Sequence, residues 1–240
     1  MLSIIIPTLN EEKYLPVLLE SIKNQRFEGD YELIVADAGS QDKTIEIARN
    51  FGCKIVPGGL PAAGRNKGAR AAKGDTFLFL DADLRLPADF LWNSLNEFEQ
   101  RKLGVSSYFL TPQTDRKIVK IGFNLFWNWL IKFFQNILPN GAMGILVRKI
   151  FFEKVGGFEE DIKMAEDLYF VRQAAKFSRF GIIKSTKIFI TLRRYEKDGL
   201  FPTFFKYVLC FFYMLSGKPV RSDIFKYRFN HYSQGGENKV

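Results

Sequence analysis

The chain has 240 residues, 47% hydrophobic and 25% charged, with a net charge of +9 and two cysteines. These values fit one sizeable α/β domain, or one with an appendage, with enough apolar residues for a real core. They exclude a cysteine-built metal or redox centre, because Cys53 and Cys210 lie far apart and match neither spacing. The two thiols read as free and buried in a reducing cytoplasm. No apolar run reaches the ~18 uncharged residues of a spanning helix. The opening Met1-Leu2-Ser3-Ile4 is already strand-like, so no signal peptide is expected.

In chain order, Ser3–Thr8 is a β-rich run interrupted by Pro7. Glu11–Gln25 has helical spacing, with Tyr14, Val17, Leu18, Ser21 and Ile22 on one face and Asn10 placed to cap it. Tyr31–Ala36 is a second strand, followed by the turn Asp37-Ala38-Gly39-Ser40. Asp42–Phe51 is a helix stopped by Gly52, and Lys54–Val56 a short strand. Gly64–Lys73 predicts a helix, Thr76–Leu80 a strand and Pro87–Arg101 a helix with proline in its first turn. Strands alternating with helices imply a mostly parallel sheet flanked by helices. Later, Val105–Leu110 and Ile182–Thr191 read as strands and Ala165–Lys176 as a helix. The polar tail Ser233–Val240 is expected to fray.

Two aromatic segments break this alternation. In Lys117–Leu138 the residues Lys117, Lys120, Asn124, Asn128, Lys132 and Gln135 form one polar stripe, opposite Phe123, Phe126, Trp127, Trp129, Leu130, Phe133, Phe134 and Leu138. Leu200–Leu215 repeats the pattern, with Thr203, Lys206, Cys210 and Tyr213 as a thin polar stripe. From Lys184 onward 11 Lys or Arg face 4 Asp or Glu, so +7 of the net charge lies in the last quarter. Wide aromatic faces bordered by lysine, beside a basic segment, point to helices lying on an anionic membrane surface; core helices are the alternative.

The chemistry is densest where the strand Thr76–Leu80 runs into Asp81-Ala82-Asp83. Two hard carboxylates at this spacing can grip Mg²⁺ or Mn²⁺ and leave coordination positions for substrate phosphates. In open α/β sheets ligands bind beyond the carboxyl ends of strands. A turn that merely ends a strand is the competing reading of this triplet alone.

Further segments stand in a fixed order: Ser3-Ile4-Ile5-Ile6-Pro7-Thr8-Leu9-Asn10-Glu11-Glu12, then Val35-Ala36-Asp37-Ala38-Gly39-Ser40-Gln41-Asp42-Lys43-Thr44, then Gly64-Arg65-Asn66-Lys67-Gly68-Ala69. After the Asp triplet come Val155-Gly156-Gly157-Phe158 and Glu166-Asp167. In this order and spacing, over residues 1–195, the chain resembles glycosyltransferase family 2. The resemblance implies the GT-A nucleotide-diphospho-sugar transferase fold, a UDP- or GDP-sugar donor, a divalent metal (Mg²⁺ or Mn²⁺) and inversion at the anomeric carbon.

The resemblance also implies roles. Thr8, Glu11 and Asp37 would sit by the base and ribose, although the usual second carboxylate after Asp37 is Ala38. Arg65 would lie near the nucleotide, where a guanidinium can pair with phosphate. Asp81, Ala82 and Asp83 would form the donor and metal triplet, with Asp83 the main metal ligand. Asp167, with Glu166 beside it, would be the general base, or would position the acceptor if that is a phosphate. Arg193 and Arg194 would approach the diphosphate or the acceptor. Acidic residues are also favoured in any first helical turn, and Asp37 can cap a turn.

The expected division is 1–195 for the transferase domain, with an aromatic helix near 117–138, and 196–240 for a basic amphipathic segment. The expected activity is transfer of a sugar to a lipid-linked, polyprenyl-phosphate or saccharide acceptor at the cytoplasmic membrane face, the protein being peripherally attached. A non-catalytic sugar-nucleotide-binding scaffold is the alternative. A nucleic-acid partner is not expected, because the basic residues form no reading motif. A dinucleotide dehydrogenase is disfavoured, because no Gly-x-Gly-x-x-Gly follows the first strand.

Overall fold

The computed structural model describes residues 1–123, 128–135, 139, 141, 143–222 and 224. The first half alternates strand and helix: β1 (Leu2–Thr8), α1 (Leu15–Lys23), β2 (Tyr31–Asp37), α2 (Thr44–Asn50), β3 (Lys54–Pro57), α3 (Pro61–Ala71) and β4 (Thr76–Leu80). Then follow β5 (Leu84–Arg85), α4 (Phe90–Gln100), β6 (Val105–Pro112), α5 (Lys117–Phe123), α6 (Trp129–Phe134), β7 (Gly144–Arg148) and α7 (Lys149–Val155). The chain continues through α8 (Glu166–Ala175), β8 (Phe180–Ile190), α9 (Arg193–Asp198) and α10 (Leu200–Leu215). The strands make one sheet in the order β3-β2-β1-β4-β7-β6-β8-β5. Strands β1 to β4 pair in parallel, as expected. Strand β7 runs antiparallel to both β4 and β6, so the sheet is mixed.

Strand alternation divides the core into two layers. Ile4, Ile6, Leu78 and Leu80 face one side, with Leu15 and Leu18 of α1 and Phe90 and Phe98 of α4. Ile5, Phe77, Phe79, Ile145 and Val147 face the other, with Ala69 of α3, Phe152 of α7 and Phe170 of α8. Each large apolar side chain contributes about 1.5–3 kcal/mol by leaving water. A one-residue slip of a strand would exchange the two sets, so burial fixes the register that brings Asp81 to the end of β4. Helix α3 lies so close to β1 that a methyl group at Gly68 would overlap the side chain of Ile5. That close approach sets the position of Arg65 one turn earlier.

Several predicted details change. Helix α1 starts at Leu15, with Pro16 in its first turn, not at Glu11. Asn10 does not cap it: its φ is 54°, and its Oδ1 accepts the Gln41 amide at 2.8 Å. An asparagine tolerates this left-handed backbone better than most residues. Strand β7, helix α7 and the two-residue β5 were not anticipated. The predicted strand Ile182–Thr191 is β8, which ends at Ile190, and Arg193-Arg194-Tyr195 after it open the short helix α9, which was not anticipated.

The polar stripe predicted for the second aromatic helix does not all face outward. On α10, Thr203 and Cys210 of the predicted polar stripe are buried, whereas Phe205, Leu209 and Phe212 are exposed. Cys210 and Met214 pack on Met164 and Leu168, and Lys163 donates its amide to the Val220 carbonyl at 2.8 Å. Small side chains let α10 approach α8, which polarity scales do not register. On α6, Trp129 and Phe133 are exposed and stacked, while Asn128 pairs both ways with the Leu110 backbone. Phe134 meets Phe211 edge-on, joining α6 to α10. Asn124, Phe126, Trp127, Leu138, His231 and the tail 233–240 lie outside the described residues. Among the described residues no helix is long and apolar enough to cross a membrane.

Candidate active site

A cavity of about 440 Å³ opens beyond the carboxyl ends of β1 and β4. Its polar floor holds Thr8, Glu11, Asp81, Ala82 and Asp83, with Arg65, Glu166, Asp167, Arg193 and Arg194 around them. Every sequence-expected site residue except Asp37 lines it. The opposite wall is apolar: Leu110, Phe123, Met143, Met164, Tyr195, Tyr207 and Phe211. A polar floor with an apolar wall suits a ligand with a charged end and a greasy end.

Asp37 has a different place. Its Oδ1 accepts from the hydroxyls of Thr8 at 2.9 Å and Ser40 at 2.5 Å. Its Oδ2 accepts the amides of Gly39 at 2.9 Å and Ser40 at 2.8 Å. Two bonds per oxygen fill a carboxylate's usual lone-pair sites. Asp37 therefore builds the turn after β2. The turn presents Ala38 to the cavity instead.

Two arginines organise the carboxylates. Arg65 gives Nη2 to Asp81 Oδ1 and Nη1 to Glu166 Oε1, both at 2.7 Å, above the ring of Phe158. It is 4% exposed. Its forked end serves two carboxylates, because α3 carries it beside the Asp triplet. Arg193 gives Nη1 and Nη2 to Glu11 and its Nε to Asp83 Oδ2 at 2.8 Å. Thr191, which the sequence reading did not single out as a site residue, also donates to Asp83 Oδ2 at 2.8 Å.

Glu166 and Asp167 open α8, after Ala165 in a left-handed conformation. The Asp167 carboxyl is pushed well above the usual carboxylate range by burial and then by the charge of Glu166, against the pull of Arg65. Burial likewise pushes Glu11 up to about 7, although Arg193 holds it. Carboxyls such as Asp167 and Glu11, with raised proton affinity in a cleft, are where acid–base chemistry is found.

For a divalent ion, Asp83 and Asp81 are the fitting ligands. Asp83 already clasps a cation, the Arg193 guanidinium, which stands where a metal charge would be stabilised. Among the described residues no three His, Cys, Asp or Glu converge as a complete metal cage. Two carboxylates are enough for Mg²⁺, which keeps water and phosphate as its other ligands.

The family model for glycosyl transferase family 2 matches residues 3–159. The chain belongs to this family. A relative from Haemophilus influenzae, described as an uncharacterized glycosyltransferase, is 29% identical over 182 residues, covering 71% of this chain and 60% of its own length. A PGL/p-HBAD biosynthesis glycosyltransferase of Mycobacterium tuberculosis is 42% identical over 92 residues, 35% of each chain. The chain thus spans less than two thirds of these curated relatives. The crystal structure of Staphylococcus aureus TarS in complex with UDP superposes with a TM-score of 0.64 at 24% identity, covering 79% of this chain and 60% of that one. A Pyrobaculum calidifontis mannosyltransferase in complex with GDP-Man and Mn²⁺ gives 0.59 at 20% identity, covering 79% and 56%. These likenesses establish the GT-A fold of the family.

Proposed function

We propose that this chain is an inverting glycosyltransferase that takes a sugar from a UDP- or GDP-sugar, with Mg²⁺ or Mn²⁺, and delivers it to an acceptor at the cytoplasmic face of a membrane. The observation that carries the reading is one cavity whose floor holds the Asp81/Asp83 and Glu166/Asp167 pairs and whose wall is apolar. The acceptor classes that fit are a lipid-linked saccharide, a polyprenyl phosphate or a saccharide. The UDP-GlcNAc and GDP-Man bound by the solved structures this chain resembles support a UDP- or GDP-sugar as donor.

The chemistry follows from the residues. Asp81 and Asp83 would hold the divalent ion, which when bound offsets charge on the departing diphosphate. Asp167 accepts the acceptor hydroxyl proton as that oxygen attacks the sugar's anomeric carbon; the bond from carbon to the diphosphate breaks on the opposite side. A carboxyl with raised proton affinity is a stronger base once ionised, and such a positioned base contributes about 10²–10⁴ in rate. Where the acceptor is a phosphate, Asp167 positions it instead. Arg65 keeps the two carboxylate pairs at a fixed separation, which is the orientation part of the catalysis.

Residues 1–195 carry the transfer chemistry in this reading. Within 196–240, Tyr207 and Phe211 of α10 supply part of the apolar wall, and the exposed face of α10 supplies an aromatic surface for anionic lipid. Phe205, Leu209 and Phe212 on α10, with Trp129 and Phe133 on α6, are the side chains that would enter the lipid headgroup layer.

The test is nucleoside diphosphate release from a panel of UDP- and GDP-sugars with Mn²⁺, with polyprenyl phosphate in anionic vesicles. One donor should give release that falls about 10³-fold in Asp83→Ala and Asp167→Asn. Nucleotide-dependent thermal stabilisation without release from any donor would leave a binding scaffold instead.

A further inference from the structure

Glu11 follows β1 and Asp83 follows β4, yet one guanidinium joins them. Arg193 Nη1 and Nη2 lie 2.8 and 2.9 Å from the two Glu11 oxygens, and its Nε lies 2.8 Å from Asp83 Oδ2. The ring of Tyr14 lies 4.8 Å from its Cζ. Three charge-assisted bonds in a wall where the Arg193, Asp83 and Glu11 side chains are only 20%, 14% and 9% exposed make a firm clamp. The carboxylate best suited to a divalent ion therefore already has a cation.

The clamp has a movable mount. Helix α9 has six residues, none of them buried, and it ends at Gly199 with φ 87°. A shift of α9 costs the core little, in contrast to any shift of α3 or β4.

We infer that Arg193 is an exchangeable counter-cation for Asp83, so that divalent ion and nucleotide enter the site together and not singly. The inference rests on the donor and metal reading above. An ion arriving alone must take Asp83 from the guanidinium and sit beside that cation in a partly dry wall, with only Glu11 of the clamp left to offset it, which is costly. A nucleoside diphosphate arriving with the ion offers the planar guanidinium fork a pair of phosphate oxygens as its next partner. Arg193 is then a positioning residue in the empty site, and it touches substrate only after the exchange.

The experiment is Mn²⁺ binding to the full chain, measured as free Mn²⁺ by electron paramagnetic resonance, with and without UDP or GDP, in wild type, Arg193→Gln and the control Arg221→Gln, whose arginine pairs with Glu159 and Asp161 and does not line the cavity. The inference expects weak nucleotide-free binding in wild type and in Arg221→Gln, and tightening by about tenfold in Arg193→Gln, the size of one lost charge-assisted hydrogen bond. If Arg193→Gln folds poorly, Glu11→Gln removes the bidentate half of the clamp, leaves the guanidinium to Asp83 and should weaken nucleotide-free Mn²⁺ binding further. Unchanged nucleotide-free affinity in these variants, with wild type still binding Mn²⁺ beside nucleotide, overturns the exchange and leaves the functional reading standing. No Mn²⁺ binding to wild type or variant, with or without UDP or GDP, overturns the metal reading itself.

Discussion

Arg65 and Arg193 do the same chemistry on opposite sides of one cavity: each bridges two carboxylates that come from distant parts of the chain. Their mounts differ. Arg65 projects from α3, which is pressed onto β1 and whose Ala69 belongs to the core layer. Arg193 projects from α9, which buries no residue. A guanidinium on a buried helix is a strut, whereas one on an unburied helix can be exchanged. The difference teaches that an ion pair's role depends as much on what holds the arginine as on the bond lengths, which here are nearly equal.

The comparison can be broken most sharply at Arg65. Arg65→Gln leaves Glu166 buried without its cation and should cost about 3–5 kcal/mol. In a chain of this size each kcal/mol lowers Tm by about 2–4 °C. A loss near zero in a urea or thermal melt would mean that Arg65 is no strut. Arg193→Gln should cost less, about 1–2 kcal/mol, because α9 can relax and Glu11, already raised to about 7, can take a proton. Equal losses for the two variants would erase the distinction.

A third experiment sharpens the strut side by pH. Asp167, at the start of the helix that Arg65 braces, has its folded-state proton affinity raised from the ordinary 3.8. In the window above 3.8 the folded chain keeps this proton after the unfolded chain has lost it, so stability falls as pH rises. Asp167→Asn removes that slope. Its Tm should exceed wild type at pH 8 and approach it near pH 4, while transfer is lost. A wild-type transfer rate that climbs with pH as Asp167 ionises would agree; a rate flat from pH 5 to 8 would count against Asp167 as base.

The smallest effect is expected beyond α9. Phe205→Ser with Phe212→Ser should change stability by about 0.5 kcal/mol or less per site, as exposed positions do. The same pair should reduce co-sedimentation with anionic vesicles several-fold. Vesicle recovery equal to wild type would remove the lipid role of α10.

What could be read from residue order was local or strongly patterned. The strands of the parallel half stand out as apolar runs ended by turn residues, and the Asp triplet falls where β4 ends. Strand β7 did not stand out: Ile145, Leu146 and Val147 form a short apolar run with no alternation, because both of its faces are covered. Asp37 matched a family position, but its four bonds depend on how Thr8 and Ser40 meet around it. The clamp was also out of reach, since Glu11 and Arg193 are 182 positions apart and nothing local marks their pairing. The aromatic helices show a third kind of miss. Counting polar residues put Thr203 and Cys210 outside, whereas their small volume puts them inside.

Gly68 does not line the cavity, yet α3 can sit on β1 only because position 68 has no side chain. An alanine there would lift the helix off the sheet and carry Arg65 away from Asp81 and Glu166 together. Inactivating changes in this enzyme should therefore turn up on the sheet-facing side of α3, at sites that an inspection of pocket-lining side chains would pass as harmless.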